Sequence, residues 1–273
     1  LERSMSENTI SSYASDLKKM ENLPLPDKIS SDDLIGVLEQ QQELGVGKRS
    51  QARMVSSLRM FFKYLEMEGI VKENPCDRID SPKMKRYIPV VLSVDEVEKI
   101  INSVDLSDPL GHRNKAIIEV LYSCGLRVSE LVNLKISDLF FDEQFIRVTG
   151  KGSKQRLVPI GEPAIVAVNQ YLGQTRRLYT QEDILLLNRR GKRLTREMVF
   201  TIIKKYVSAA GINKSVSPHT FRHSFASHLV ENGADLRVVQ QMLGHESILT
   251  TEIYTHIDTK KWEREILTHH PRG

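Results

Sequence analysis

Only one stretch of the 273 residues carries a clear β signal. Phe145-Ile146-Arg147-Val148 and Leu157-Val158-Pro159-Ile160 are β-branched and apolar runs, and Gly150-Lys151-Gly152-Ser153-Lys154 supplies turn residues between them. Elsewhere the apolar residues recur at helical spacing, punctuated by caps and prolines. The pattern predicts a mainly α protein with a small antiparallel β-sheet. A chain of this length exceeds a typical small domain, so two domains are expected.

Residues 1–70 read as helical throughout and predict a first, helical domain. Ile10, Tyr13, Leu17 and Met20 make one apolar face behind a Ser6 cap. A second helix is expected from Ser31 to Leu44 and a third from Lys48 to Glu68, with Val55, Leu58, Phe62 and Leu65 as its stripe. Lys48, Arg49 and Arg53 at the start of the third helix fit either a solvated face or a contact with a DNA backbone. Residues 71–91 read as a linker: Pro75, Pro82 and Pro89 punctuate it, and Lys83, Lys85 and Arg86 make it basic. Such a connector suits a two-domain clamp around a duplex, and equally an ordinary surface crossover. The chain opens on Leu1 rather than Met, which predicts that the natural start is missing.

Residues 92–273 form the expected second domain. Ser93 and Glu96 make a capping box at its first helix. Residues 113–124 read as an amphipathic helix using Ile117, Leu121 and Cys124, stopped by Gly125. Arg127 then sits in a corner before a helix over Val128–Leu134, with Glu130 three residues on to steer its guanidinium. Lys151, Lys154 and Arg156 cluster at the tip of the hairpin, where they fit a groove-entering turn or a solvated one. Helices follow over 162–173 and 195–210, with an exposed basic loop, Arg189 to Arg193, between them.

The richest chemistry lies between Ser217 and Tyr254, which holds His219, Arg222, His245 and Tyr254. Ser217-Pro218 is a helix start, so His219 and Arg222 fall in its first turn, where free N–H groups favour an anion. Phe221, Phe225 and Leu229 can bury the other face. A second helix runs from Asp235 to Leu243, Gly244 ends it, and His245 follows the stop. A further short helix is expected from Ser247 and carries Tyr254. Two imidazoles, a guanidinium and a phenol are the parts a phosphodiester needs: cations, a nucleophile and proton carriers. No carboxylate cluster accompanies them, so neither a two-metal mechanism nor any cofactor is indicated.

Composition sets outer bounds. A net charge of +4 and a pI near 8.9 permit nucleic-acid binding without requiring it. Two cysteines, Cys76 and Cys124, make neither a disulfide framework nor a zinc site. No apolar run is long enough for a membrane span, and no signal peptide is visible, so a cytoplasmic protein with no membrane partner is expected.

Arg127, Lys151, His219, Arg222, His245 and Tyr254 together resemble the active site of the tyrosine recombinases. The words that carry the resemblance are Gly125-Leu126-Arg127-Val128-Ser129-Glu130-Leu131, Gly150-Lys151-Gly152, His219-x-x-Arg222, Leu243-Gly244-His245 and Ile253-Tyr254-Thr255-His256. They occur in the family's order, and the likeness extends over nearly the whole chain. It is strongest to the bacterial Xer recombinases, with His269-His270-Pro271-Arg272-Gly273 and Glu7-Asn8-Thr9 near Tyr13 similar to the XerD subgroup. The family's amino-terminal helix is longer, which predicts a weaker DNA grip here.

The resemblance implies a helical, SAM-like core-binding domain and an α+β catalytic domain that clamp double-stranded DNA. It implies Tyr254 as nucleophile and a metal-independent 3′-phosphotyrosine ester. Arg127, Arg222 and His245 would hold the phosphate, His219 would exchange a proton with Tyr254, and Lys151 would protonate the leaving oxygen. It implies a dif-like site, an XerC-like partner in a heterotetramer, and a septal DNA translocase as activator. Mobile-element integration, a type IB topoisomerase-like activity and a catalytically silent DNA-binding protein are the alternatives. The absence of an added arm-binding domain favours chromosome dimer resolution over integration.

Overall fold

The computed structural model describes residues 7–82, 89–150, 154–176, 182–244 and 256–272. They fall into two compact units that divide between residues 87 and 88.

The first unit contains α1 (Glu7–Leu17), α2 (Ser31–Glu43) and α3 (Lys48–Met67). Ser30 caps α2 in a reciprocal box with Asp33. The predicted stripe of α3 is realised: Val55, Leu58, Phe62 and Leu65 are buried, and Leu34, Val37 and Met54 join them. The predicted face of α1 is only partly correct. Leu17 and Met20 pack on the core, but Ile10 is 55% exposed. The inward residue of α1 is Asp16, which accepts from the Arg53 guanidinium and from Ser57 Oγ at 2.9 Å. A buried carboxylate needs such partners, and they bind α1 to α3.

The expected linker is shorter than its proline pattern implied. Val71, Cys76 and Ile79 are buried in the first core, and a 3-10 turn over Pro75–Arg78 brings them there. Asn74 caps that turn, accepting from Cys76 N at 2.9 Å. Lys83, Lys85 and Arg86 lie outside the described residues.

The second unit is built around α5 (Gly111–Cys124). α4 (Val94–Asn102) precedes it, opened by the predicted Ser93–Glu96 box, in which Ser93 N donates to Glu96 Oε2 at 2.8 Å. α5 is not amphipathic. It is enclosed by α4, α7 (Glu162–Gln174), α8 (Arg196–Ala209) and α9 (Pro218–Glu231), and even Arg113, Asn114, Glu119 and Ser123 are buried. Ile117, Leu121 and Cys124 faced the core as expected, but so does nearly every other side. Gly125 ends α5 with φ of 57°, and α6 (Val128–Asn133) starts after Arg127.

The sheet has three antiparallel strands in sequential order: β1 (Leu139–Phe140), β2 (Phe145–Thr149) and β3 (Gln155–Pro159). The hairpin was legible in its β-branched runs; the two-residue β1 was not. In the β2–β3 register Ile146 pairs with Val158 and Val148 with Arg156. Residues alternate between faces along a strand, so Arg156 shares the interior face with Val158. α10 (Leu236–Met242) and α11 (His256–His269) close a second apolar cluster of Phe225, Leu229, Val238, Val239, Met242, Trp262 and Ile266. His270 then lies against Tyr122 and Phe225, with ring centroids 4.7 and 5.1 Å away. No helix among the described residues is long and apolar enough to cross a membrane.

Candidate active site

Three arginines converge on the last turn of α10. Its final carbonyls have no helical partner, and they carry the negative end of the helix dipole. Arg156 Nε donates to Met242 O at 3.0 Å, Arg222 Nη2 donates to Leu243 O, and Arg127 Nη2 donates to Gly244 O at 3.0 Å. Three consecutive carbonyls thus take one guanidinium each. Gly244 stands at φ of 65°, the left-handed turn that lets the chain leave the helix there.

Each arginine arrives on a different element. Arg127 is the residue before α6, where Glu130 closes the helix start by accepting from Arg127 N at 2.9 Å. Arg222 leaves α9 one turn after Pro218, and its Nη1 donates to Gly125 O at 2.7 Å. Ser217 N donates to Thr220 Oγ1 at 3.0 Å, so that helix start is also closed reciprocally. Arg156 comes from the interior face of β3.

One carboxylate holds the group together. Glu130 Oε1 accepts from both Arg127 Nη1 and Arg156 Nη1, each at 2.8 Å, and Oε2 accepts from Arg156 Nη2 at 2.9 Å. Burial alone would raise the Glu130 carboxyl. The Arg156 hydrogen bond and charge, with the bonds from Arg127, outweigh burial and hold it below the usual range. Burial, then the charges of Arg127 and Arg156 against that of Glu130, bring Arg222 down to about 10. Three guanidiniums face one carboxylate, so these four groups carry a surplus of positive charge suited to a phosphate.

The Arg127 side chain is 36% exposed, whereas Arg156 and Arg222 are both buried. His219 is exposed at the start of α9. Partial burial, followed by the charges of Arg222, His223 and Arg127, lowers its imidazole below the ordinary value. A neutral imidazole beside two guanidiniums can accept a proton at neutral pH.

The structure therefore brings together Arg127, Arg222 and His219. Lys151, His245 and Tyr254 lie outside the described residues, as does the helix expected from Ser247; the flanking residues 150, 244 and 256 are described. Lys48 and Arg49 are exposed at the start of α3, and Lys154 is exposed at the edge of β3. One expected DNA contact is corrected. Arg156 is not at a hairpin tip; it is an interior residue paired to Glu130. Arg53 pairs with buried Asp16 while its side chain stays 43% exposed. Sequence reasoning missed Arg156 as part of the site, although the alternation Arg156, Val158, Ile160 signalled an inward side chain.

Comparison with known proteins agrees with this geometry. Residues 90–261 match the phage integrase family, and residues 1–69 match the phage integrase N-terminal SAM-like domain. The chain is 42% identical over 284 aligned positions to tyrosine recombinase XerD of Listeria innocua, covering 100% of this chain and 96% of that protein. It is 33% identical to the XerA recombinase of known crystal structure, with a TM-score of 0.55 over 98% of this chain and 94% of that one. It is 25% identical to XerH site-specific recombinase bound to a palindromic difH substrate, with a TM-score of 0.74 over 93% of this chain and 78% of that one. The chain belongs to the phage integrase family, and within it to the Xer-type tyrosine recombinases, which are DNA strand transferases.

Proposed function

We propose that this recombinase cuts and rejoins DNA at a dif-like site with Tyr254 as its nucleophile, and that Arg127, Lys151, His219, Arg222 and His245 complete the site. The observation that carries the assignment is the convergence of Arg127 and Arg222 on Leu243 O and Gly244 O, one residue short of His245. Both arginines descend on one point from elements far apart in sequence.

The phenol oxygen of Tyr254 attacks the scissile phosphorus as the bond to the 5′-oxygen breaks, leaving a 3′-phosphotyrosine. A phenol with a pKa near ~10 is protonated at neutral pH, so it needs an acceptor. His219, neutral beside Arg222, takes that proton. Lys151 gives a proton to the departing 5′-oxygen. Arg127 and Arg222, planar forks suited to phosphate oxygens, offset the growing negative charge, and His245 adds a hydrogen bond. The ester preserves the energy of the broken bond, so religation to a partner strand runs the same steps backwards.

Residues 1–70 act as the helical core-binding domain and residues 92–273 as the catalytic domain. Lys48, Arg49 and Lys154, all exposed, are backbone contacts in this scheme, as are Lys83 and Lys85. The XerD relatives and the XerH complex with difH support chromosome dimer resolution in the cytoplasm. An XerC-like protein is the partner in a heterotetramer, and a septal DNA translocase is the activator.

The test is a nicked duplex carrying a dif-like site, incubated with and without an XerC-like protein. The unsubstituted chain is expected to form a covalent protein–DNA adduct. Tyr254→Phe is expected to bind the same duplex and form none; an adduct with that variant removes Tyr254 as nucleophile.

A further inference from the structure

We propose that Arg156 is a positioning residue of the strand-transfer site, the joint that ties Arg127 to Gly150, just before Lys151, and to the last turn of α10, just before His245. The proposal rests on the assignment of those residues above and gives Arg156 a task the expected hairpin-tip contact did not.

All three nitrogens of its guanidinium donate inside the protein. Two run in parallel to Glu130 at 2.8 and 2.9 Å, and the third runs to Met242 O at 3.0 Å. The side chain is 6% exposed and is held in an ion pair with buried Glu130. Through Glu130 it touches Arg127, because Glu130 Oε1 serves both arginines. Through Met242 O it holds the last turn of α10, from which the chain runs to His245. The third link is at the hairpin. A methyl group on Gly150 would lie 3.6 Å from Arg156 Nη1 and 3.8 Å from Glu130 Oε1, so the backbone before Lys151 runs beside this pair. The turn base is closed by Gly150 N donating to Lys154 O at 2.8 Å.

The electrostatic consequence follows from the shared carboxylate. Left with Arg127 alone, Glu130 would compete with a phosphate for that guanidinium. The bidentate bond from Arg156 satisfies both carboxylate oxygens and leaves the exposed side of Arg127 available to an anion. A lysine keeps the charge but has one compact donor head, which cannot reach both Glu130 oxygens and Met242 O with fork geometry.

The test uses the full chain on the nicked dif-like duplex, with Arg156→Lys and Arg156→Met. Each duplex is made with an ordinary scissile phosphate and with an uncharged methylphosphonate at that position. For the phosphate, adduct formation is expected to slow about 10–100-fold, while DNA affinity stays within roughly threefold. On the methylphosphonate, which asks less of Arg127, the loss is expected to shrink by at least about threefold. Equal losses on both substrates mean that Arg156 only holds the fold together and overturn the proposal, as does a phosphate rate within about threefold of the unsubstituted chain. If Arg156→Met fails to fold, Arg156→Lys carries the same comparison. Absence of an adduct with the unsubstituted chain, or an adduct with Tyr254→Phe, overturns the underlying site assignment instead, so the two failures are distinguishable.

Discussion

Gly125→Ala is the substitution whose cost divides most cleanly into parts. Gly125 sits at φ of 57°, where an L-residue with a side chain is strained by about 1–2 kcal/mol. A methyl group there would also meet Phe225, with its Cβ 2.5 Å from Cδ1 and 3.0 Å from both Cε1 and Cγ. Phe225 cannot swing away. It is fully buried, in the cluster with Leu229, Val239 and Trp262, and His270 packs against its ring. Overpacking of that kind costs about 1–3 kcal/mol. The two contributions sum to about 2–5 kcal/mol, or a drop in Tm of roughly 4–20 °C.

Gly211→Ala is the built-in control. Gly211 has a similar φ of 69° but nothing within 4 Å of its would-be Cβ, so it reports the backbone strain alone. Urea unfolding followed by circular dichroism is expected to place Gly125→Ala about 1–3 kcal/mol below Gly211→Ala. Phe225→Leu in the Gly125→Ala background is expected to recover part of that gap through the shared contact. Strand cleavage is expected to fall with stability, because Gly125 O accepts from Arg222 Nη1. Equal stabilities for the two glycine variants would refute the packing argument and leave only the backbone contribution.

Two other outcomes are expected. Burial pushes the His270 imidazole down to about 3, with the charges of His228 and Arg272 adding to it. The unfolded chain takes up this proton first, so stability is full above the unfolded value of about 6.5 and declines as pH falls from there toward about 3. Glu119, whose carboxyl burial raises, gives the opposite slope above the unfolded carboxylate value, equally with and without His270. The flattening between pH 7.5 and 5 on His270→Asn, measured by urea midpoints, therefore isolates the histidine; an unchanged slope would refute its neutral burial. Ser224 Oγ accepts from Leu92 N at 2.9 Å and donates to Thr220 O at 2.9 Å, joining the start of the second unit to α9. Ser224→Ala strands the buried Leu92 N–H, and the expected loss is about 1–3 kcal/mol by urea unfolding; a loss within error would show that the N–H finds another acceptor.

Local rules carried much of the fold. The Ser93–Glu96 box, the stripe of α3, the stops at Gly125 and Gly244 and the Pro218 helix start depend on neighbours within about four residues, which a reader of the sequence can see. The β2–β3 hairpin was legible for the same reason, since its strands are joined by a short turn. The recombinase family was legible because its words are short and their order is long. What failed was the reading of burial for charges whose partners lie far along the chain. α5 looked amphipathic from Ile117, Leu121 and Cys124, but α4, α7, α8 and α9 close over its polar residues as well.

The division shows most clearly in the arginines. Sequence by itself placed Arg127 at a helix start and Arg222 in the first turn of another helix, and pointed both toward a phosphate; it put Arg156 at a hairpin tip. It did not say that Arg156 is interior. That was decided by the tertiary structure, where Glu130, 26 residues before Arg156, and Met242, 86 residues after it, together accept from all three nitrogens of its guanidinium. A buried charge persists only where partners satisfy it, and partners so distant along the chain meet only once the fold has formed.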